Sequence, residues 1–416
     1  IIDVAKNKKV IIQDIRIEIK EKKFNGFFPD SIQISFRTPK INKTIVLQKS
    51  DPGSKKHPLI NDWILNSEHN EDMDNDMFDL ANKIAFYHDK NFTCSLTLIK
   101  FSIDNLKALG TCYDLNTVYS FLPVDMDHNR NKRSDLENPH IIIEKPKNLE
   151  QSFDFIKIGS GKKNEMVEPK NLNFRENITN YVIEVLVVTD YSIYQNFKKL
   201  TRLQNKKALI SYMKIYFSQM INEVNFKYLN SFKDHPELRI SVKLKNFIFS
   251  TKSSDSKWSH RKRVGINEIP FYKQKEVVLA DDTIMAFSEF MVGKKLNYTY
   301  DHAVGITSKD LWSSDQYLGS HERSLTSGMA FFGRICSPKF KFSIIEDNAI
   351  LGGTTTLAHE IGHSIGSDHD GIQGLYKNCS ASDGFIMSPS ILISLNSNKF
   401  SKCSIEAIKN YMLKNR

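Results

Sequence analysis

The segment Thr356-Leu-Ala-His-Glu-Ile-Gly-His-Ser-Ile-Gly-Ser-Asp-His-Asp370 restricts the fold more than any other part of the chain. His359 and His363 are four residues apart, so on a helix both imidazoles face the same way and can reach one ion. Glu360, beside the first of them, is placed to meet a water on that ion and not the ion itself. Gly366 follows, a residue that takes the left-handed conformation without steric penalty and so ends the helix and turns the chain. The turn returns His369 as a third ligand. Three protein ligands leave one position open, the arrangement of a catalytic zinc site. Zinc polarises a carbonyl and acidifies water, and Glu360 is then the general base that later returns the proton to the leaving amine. A chance match to five such positions is on the order of one in 10⁴ for a chain of this size. A purely structural zinc site would not require a carboxylate beside its first ligand.

The chain has 416 residues, 40% hydrophobic, enough for two domains or one domain with an extension. Its net charge of +10 can attract anionic partners, but Lys and Arg are scattered and no nucleic-acid motif accompanies them. No apolar run is long enough to span a bilayer; Val182–Val188 is short, contains Glu184 and reads as a buried strand. In the first half, Ile32–Phe36 and Cys94–Leu98 alternate as half-buried strands. Residues 125–177 are polar and read as a partly exposed connecting region, with Ile141–Ile143 a candidate last strand. Beyond residue 178, strands at 182–188, 239–249, 304–307 and 329–332 interleave with helical patterns over 193–229, 281–293, 350–364 and 405–413, which predicts an α/β layered domain. No internal repeat is visible. The first residue is Ile, as in a chain that has lost a signal peptide or been excised. Sequons at Asn42, Asn91, Asn177, Asn297 and Asn378 would be glycosylated in a secreted protein. The five cysteines, Cys94, Cys112, Cys336, Cys379 and Cys403, leave at least one thiol unpaired or paired between chains.

Met387 lies 18 positions beyond His369, within Gly384-Phe-Ile-Met-Ser-Pro389. Together with the three histidines and Asp370, this resembles the adamalysin or reprolysin family of metzincins, which includes snake-venom metalloproteinases and ADAM proteases. Tyr181-Val-Ile-Glu-Val-Leu-Val-Val-Thr-Asp190 is similar to that family's opening strand, and Asp301-His-Ala303 to a later one. Gly328-Met329-Ala330 resembles the edge strand that binds substrate by β-augmentation. The resemblance implies a metzincin catalytic domain over 178–416: a twisted mixed sheet, long helices, an active-site helix and a Met-turn at Met387. It implies zinc on His359, His363 and His369, with Glu360 catalytic. It implies a disulfide between Cys336 and Cys403, from the likeness of Ile335-Cys-Ser-Pro338 and Phe400-Ser-Lys-Cys-Ser404 to two linked family segments. It extends to calcium, with Glu184 and Asp301 matching carboxylate ligands, while Glu406 stands where an Asn is usual. Phe385 replaces a common family Cys and leaves Cys379 without an obvious partner.

Gly110–Pro123 and His140–Ile143 resemble the family's propeptide, so residues 1–170 are expected to be a mostly β propeptide-like domain and linker. Arg130-Asn-Lys-Arg133 offers a furin-type processing site, although Arg261-Lys-Arg263 is a similar cluster in the second half. The usual cysteine-switch motif is absent, and Cys94 and Cys112 can pair with each other. Few cysteines follow, so no disintegrin domain and no membrane anchor are expected. The short form, and Asn378–Ser388 in particular, are most similar to parasitoid-wasp venom metalloproteinases. The expectation is therefore a secreted, monomeric zymogen and toxin that cleaves extracellular or host proteins, gelatin-like ones among them. The alternative is a silent venom or matrix-binding protein that keeps the metal site.

Overall fold

The computed structural model describes residues 9–19, 28–38, 41–50, 83–102, 105–114, 117–123, 139–145, 148–156, 179–235, 237–260, 277–314, 323–371, 378–392 and 394–414. Strands β1 (Lys9–Asp14), β2 (Arg16–Ile19), β3 (Ser31–Arg37), β4 (Asn42–Lys49), β5 (Ile84–His88), β6 (Cys94–Ser102), β7 (Asn105–Asp114), β8 (Thr117–Pro123) and β9 (Pro139–Lys145) form one antiparallel sheet. Its order is β1-β9-β8-β7-β6-β5-β4-β3-β2. The two edge strands are joined through Ile15 alone, so the sheet rolls until its edges meet. Phe36 on β3 accordingly packs on Tyr119 and Phe121 of β8, with ring centroids 5.6 and 4.8 Å apart, although the two strands are not neighbours in the sheet. Strand β3 shows why it forms: Ile32, Ile34 and Phe36 are buried while Gln33, Ser35 and Arg37 alternate outward. Cys94 and Cys112 face each other across β6 and β7 and are disulfide-bonded.

The second sheet begins, unexpectedly, with β10 (Asn148–Ile156), in the stretch whose composition reads as a connection. It continues with β11 (Thr179–Thr189), helices α1 (Tyr191–Thr201) and α2 (Lys206–Phe232), β12 (Leu238–Phe249), β13 (Val277–Leu279), α3 (Ala280–Val292), β14 (His302–Thr307), β15 (Asp310–Ser314), β16 (Arg323–Phe331), β17 (Phe342–Glu346), α4 (Thr354–Ser364), β18 (Ser390–Leu392) and α5 (Lys402–Lys414). The order is β12-β11-β14-β17-β16-β10-β18, with β15 also on β16. Strands β11, β12, β14 and β17 are parallel, and β14 and β17 are buried at every position, as central strands covered on both faces must be. β16 runs antiparallel to β17.

The long helical pattern beyond residue 193 is two helices. Arg202 takes a left-handed conformation after α1, and the Asn205 side chain then accepts from Ala208 N to start α2. α2 is buried along almost its whole length because both units cover it. Ile84, Phe86, Ile99, Leu109, Leu122, Ile141 and Ile143 of the first unit share one core with Leu209, Met213, Met220 and Val224 of α2. Polar contacts join the same faces: Thr97 Oγ1 donates to Gln219 Oε1 (2.5 Å), and Lys227 Nζ donates to Tyr113 Oη (3.1 Å) and to Ser397 O (2.8 Å). The Tyr113 hydroxyl also lies 3.2 Å from Thr355 Oγ1, at the start of α4. No described helix is long and apolar enough to cross a membrane.

Candidate metal centre

Helix α4 begins at Thr354, four residues later than the apolar pattern predicts. The Asp347 carboxylate accepts from Ala349 N (3.1 Å) and Gly353 N (3.0 Å), and Ala349 and Leu351 sit at positive φ. That turn ends β17 and aims α4 along the sheet. Helix α4 stops where Gly366 takes φ +90°, with Gly366 N donating to His363 O (3.0 Å) and Ser367 N to Gly362 O (2.9 Å). A Cβ on Gly366 would lie 2.7 Å from Tyr411 of α5, so conformation and packing both demand glycine there.

This turn brings His369 back as the sequence predicts. His369 Nε2 lies 3.1 Å from both His359 Nε2 and His363 Nε2. Nitrogens that each bind one tetrahedral zinc ion at 2.0–2.1 Å lie roughly 3.3 Å apart, so the donor set fits the metal. The tautomers agree. His359 Nδ1 faces Ile386 O at 2.6 Å and His363 Nδ1 faces Ser367 O at 2.7 Å. A carbonyl only accepts, so each Nδ1 carries the proton and each Nε2 keeps its lone pair for a metal. Burial, and then the neighbouring His369, hold His359 well below its usual pKa, which favours the neutral ligand form. Among the described residues these three histidines are the one group of three or more His, Cys, Asp or Glu placed to share an ion.

Glu360 is fully buried on the same helix and lies against β16. A Cβ on Gly328 would come within 2.6 Å of Glu360 Oε1 and 2.7 Å of Thr356 Cγ2, so the bare backbone of β16, which lies between β17 and β10 and is not the expected edge here, makes room for the carboxylate. Met329 and Ala330, the other residues expected on that edge, are buried at register positions opposite β17. Met387 is buried against α4, where a Cβ on Gly362 would reach its Sδ at 2.7 Å. Asp370 ties the two sides together: its N donates to Met387 O (2.9 Å), and its Oδ1 accepts from Ser401 Oγ (2.6 Å) and Ser404 Oγ (3.0 Å). The two serines and the Ile386 and Ser367 carbonyls carry no sequence signal, since contacts between distant segments and backbone acceptors leave no motif.

The Cys336–Cys403 disulfide implied by the family resemblance does not form. Cys403 bonds Cys379, with Cα atoms 6.2 Å apart, and Cys336 is a free, exposed thiol. Cys403 lies in the first turn of α5, beside the segment that leads to Met387. The segment that carries Cys336 packs instead on Tyr411, where a Cβ on Gly333 would lie 3.3 Å from the ring, eight residues further along the helix, about 12 Å at 1.5 Å per residue. Glu184 and Asp301 are adjacent, with Asp301 Oδ2 accepting from Glu184 N (2.8 Å). The Glu184 carboxylate accepts from Lys245 Nζ at 3.0 and 3.1 Å. Asn42, Asn91, Asn297 and Asn378 are all exposed, whereas Asn177, Arg130–Arg133 and Arg261–Arg263 lie outside the described residues.

The reprolysin model of metallopeptidase family M12 matches residues 179–401. A venom metalloproteinase, BumaMPs1, of Olivierus martensii is 30% identical over 209 residues, covering 50% of this chain and 46% of its own. A zinc metalloproteinase/disintegrin of Bitis gabonica is 29% identical over 157 residues, covering 36% and 43%. The snake venom metalloproteinase fibrolase of Macrovipera lebetinus is 36% identical over 89 residues, covering 21% and 42%. The chain thus spans less than half the length of these curated relatives. Metalloproteinase-II of Bacteroides fragilis superposes over 92% of this chain and 91% of its own, at 12% identity and a TM-score of 0.43.

Proposed function

The chain belongs to the reprolysin-type metallopeptidases of family M12 and is a metalloendopeptidase, and from that premise we propose that it is a secreted, venom-type protease made as a zymogen. Its substrates are extracellular or host proteins, gelatin-like chains among them, and Glu360 is its general base. The observation that carries this reading is the convergence of three Nε2 atoms beside a buried Glu360, whose carboxylate abuts Gly328 of β16.

His359, His363 and His369 would hold zinc, which would supply Lewis acidity for a scissile carbonyl. Glu360 accepts a proton from the attacking water and passes it to the leaving nitrogen, so neither Ser nor Cys is needed as nucleophile. The backbone of Gly328–Ala330 orients an extended substrate across the site. The similar venom enzymes support a venom role, and the four exposed sequons agree with passage through a secretory route.

The test is cleavage of gelatin or casein by the processed protein. Cleavage is expected to be abolished by EDTA. It is expected to fall by on the order of 10²–10⁴-fold in Glu360→Ala with zinc content unchanged. A zinc-loaded, processed protein that cuts nothing would make it a binding protein.

A further inference from the structure

Two tyrosine hydroxyls of α2 hold the metal-bearing helix α4. Tyr216 Oη donates to Asp347 Oδ2 (2.6 Å) and accepts from Leu351 N. Tyr228 Oη donates to Ala358 O (3.0 Å), the carbonyl immediately before His359. Both side chains are fully buried. The first bond steadies the turn that launches α4. Ala349 and Leu351 hold left-handed conformations there, which a residue with a Cβ adopts only when its surroundings enforce them. Asp347 shapes that turn through Ala349 N and Gly353 N, and Tyr216 fixes the Asp347 carboxylate. The second bond acts within the helix itself. A carbonyl has two lone pairs, so Ala358 can serve the helix and the tyrosine together.

A second route from α2 reaches the same ligand. His359 Nδ1 donates to Ile386 O, and Ile386 N donates to Lys399 O (3.1 Å). The segment around Lys399 is fastened to α2 along its length. Lys227 Nζ donates to Ser397 O and to Asn398 Oδ1 (2.9 Å), Asn230 Nδ2 to Asn398 O (3.1 Å), and Phe400 N to Ser231 Oγ (2.8 Å). The Phe400 ring packs on Tyr228, with centroids 4.9 Å apart, and a Cβ on Gly362 of α4 would lie 3.1 Å from it. Helix α2 therefore fixes the backbone behind His359 through Ala358 and its imidazole through Ile386.

We propose that Tyr216 and Tyr228 are positioning residues that set the geometry of His359 and Glu360 by pinning α4 at its launching turn and at Ala358. The proposal rests on reading His359, His363, His369 and Glu360 as the centre of a metalloprotease. Apolar packing is non-directional and lets a helix shift by fractions of an ångström, whereas a hydroxyl-to-carbonyl bond has a set length and direction. The site needs that restraint. A general base works only within hydrogen-bond reach of its water, and small misplacements are costly. Supporting bonds behind a metal ligand are worth roughly 10–100-fold in metal affinity or activity.

The test uses the whole chain loaded with cobalt(II), whose visible absorption reports ligand geometry, beside zinc affinity from chelator competition. Tyr228→Phe and Tyr216→Phe keep the rings and remove only the hydroxyls. Each should shift the cobalt bands and weaken zinc binding on the order of tenfold. Tyr87→Phe sets the baseline, because it loses a buried bond of the same kind, to Pro29 O at 2.6 Å, inside the first sheet. In the processed protein, Tyr228→Phe should lower kcat for a fluorogenic peptide on the order of tenfold with KM nearly unchanged. Folded tyrosine variants whose bands and zinc affinity match those of Tyr87→Phe overturn the proposal. If Tyr228→Phe fails to fold, a folded Tyr216→Phe chain that matches the baseline overturns it by itself. Shifted metal readouts, with an unmodified processed protein that cuts nothing, uphold the positioning role and sink the protease reading.

Discussion

Gly328 and His302 show what single residues contribute here. A methyl at Gly328 would press on the Glu360 carboxylate from 2.6 Å, while the three histidines lie elsewhere on the helix and loop. Gly328→Ala is expected to lower kcat on the order of 10²-fold by displacing the base, with zinc content unchanged; kinetics beside metal analysis checks this. His302 is buried on β14 with Nε2 2.8 Å from Ser343 Oγ. Burial, and then Lys341, push its pKa down from 6.5 to about 3. Between those values the unfolded chain takes up a proton that the folded one refuses. Stability is thus lost as pH falls from about 6.5 towards about 3, with a slope of up to about 1.4 kcal/mol per pH unit. His302→Gln should flatten that acid limb in urea unfolding run at several pH values. The clustering of His359, His363 and His369 is legible in the sequence because its geometry is local: His359 to His363 is one helical turn, and Gly366 turns the chain at φ +90°. The Cys379–Cys403 pairing is not legible. It depends on which end of α5 each cysteine meets, and spacing does not encode that.

At the scale of elements, α2 is the joint between the two units. Lys227 on this helix is buried against Tyr113, Ser397 and Asn398. Burial lowers its pKa from 10.5 to about 7, against the opposing pull of Glu223. The unfolded chain therefore holds a proton through that window that the folded chain gives up, and stability rises as pH climbs from about 7 to about 10.5. Lys227→Met should remove this rise, read as the difference in urea midpoint between pH 7 and pH 9. The alternating strand β3 and the helices α3 and α5 are legible because their periodicity records the faces they bury, whereas β6, expected half-buried over Cys94–Leu98, is buried on both faces because Ser95 and Thr97 meet Gln219 of α2. β10 is not legible. Asn148-Leu-Glu-Gln-Ser-Phe-Asp-Phe-Ile156 sits in a polar stretch, and its strand character comes from partners at 326–331 and 390–392, far away in the chain. The break in the long helical pattern at Arg202 is hidden for the opposite reason: the apolar spacing runs on through it, and only the backbone turns.

At the scale of the molecule, the rolled first sheet encloses a core of its own around Ile32, Ile34, Phe36, Leu96 and Phe121, but its other face shares a core with the second unit. Ile84, Phe86, Ile99, Leu109, Leu122, Ile141 and Ile143 complete the hydrophobic interior whose other side is α2. Separating the units would strip that face bare, along with Gln219 and Lys227, whose partners Ser95, Thr97 and Tyr113 would leave with the first unit. A protease that sheds such a partner persists because unfolding is slow, and once unfolded it lacks the surface on which α2 was assembled. Differential scanning calorimetry should therefore give a midpoint that depends on scan rate for the processed form, while the whole chain refolds on cooling. On the zymogen reading proposed above, the shared core would make the first unit a template as well as a cover, its imprint stored as a barrier.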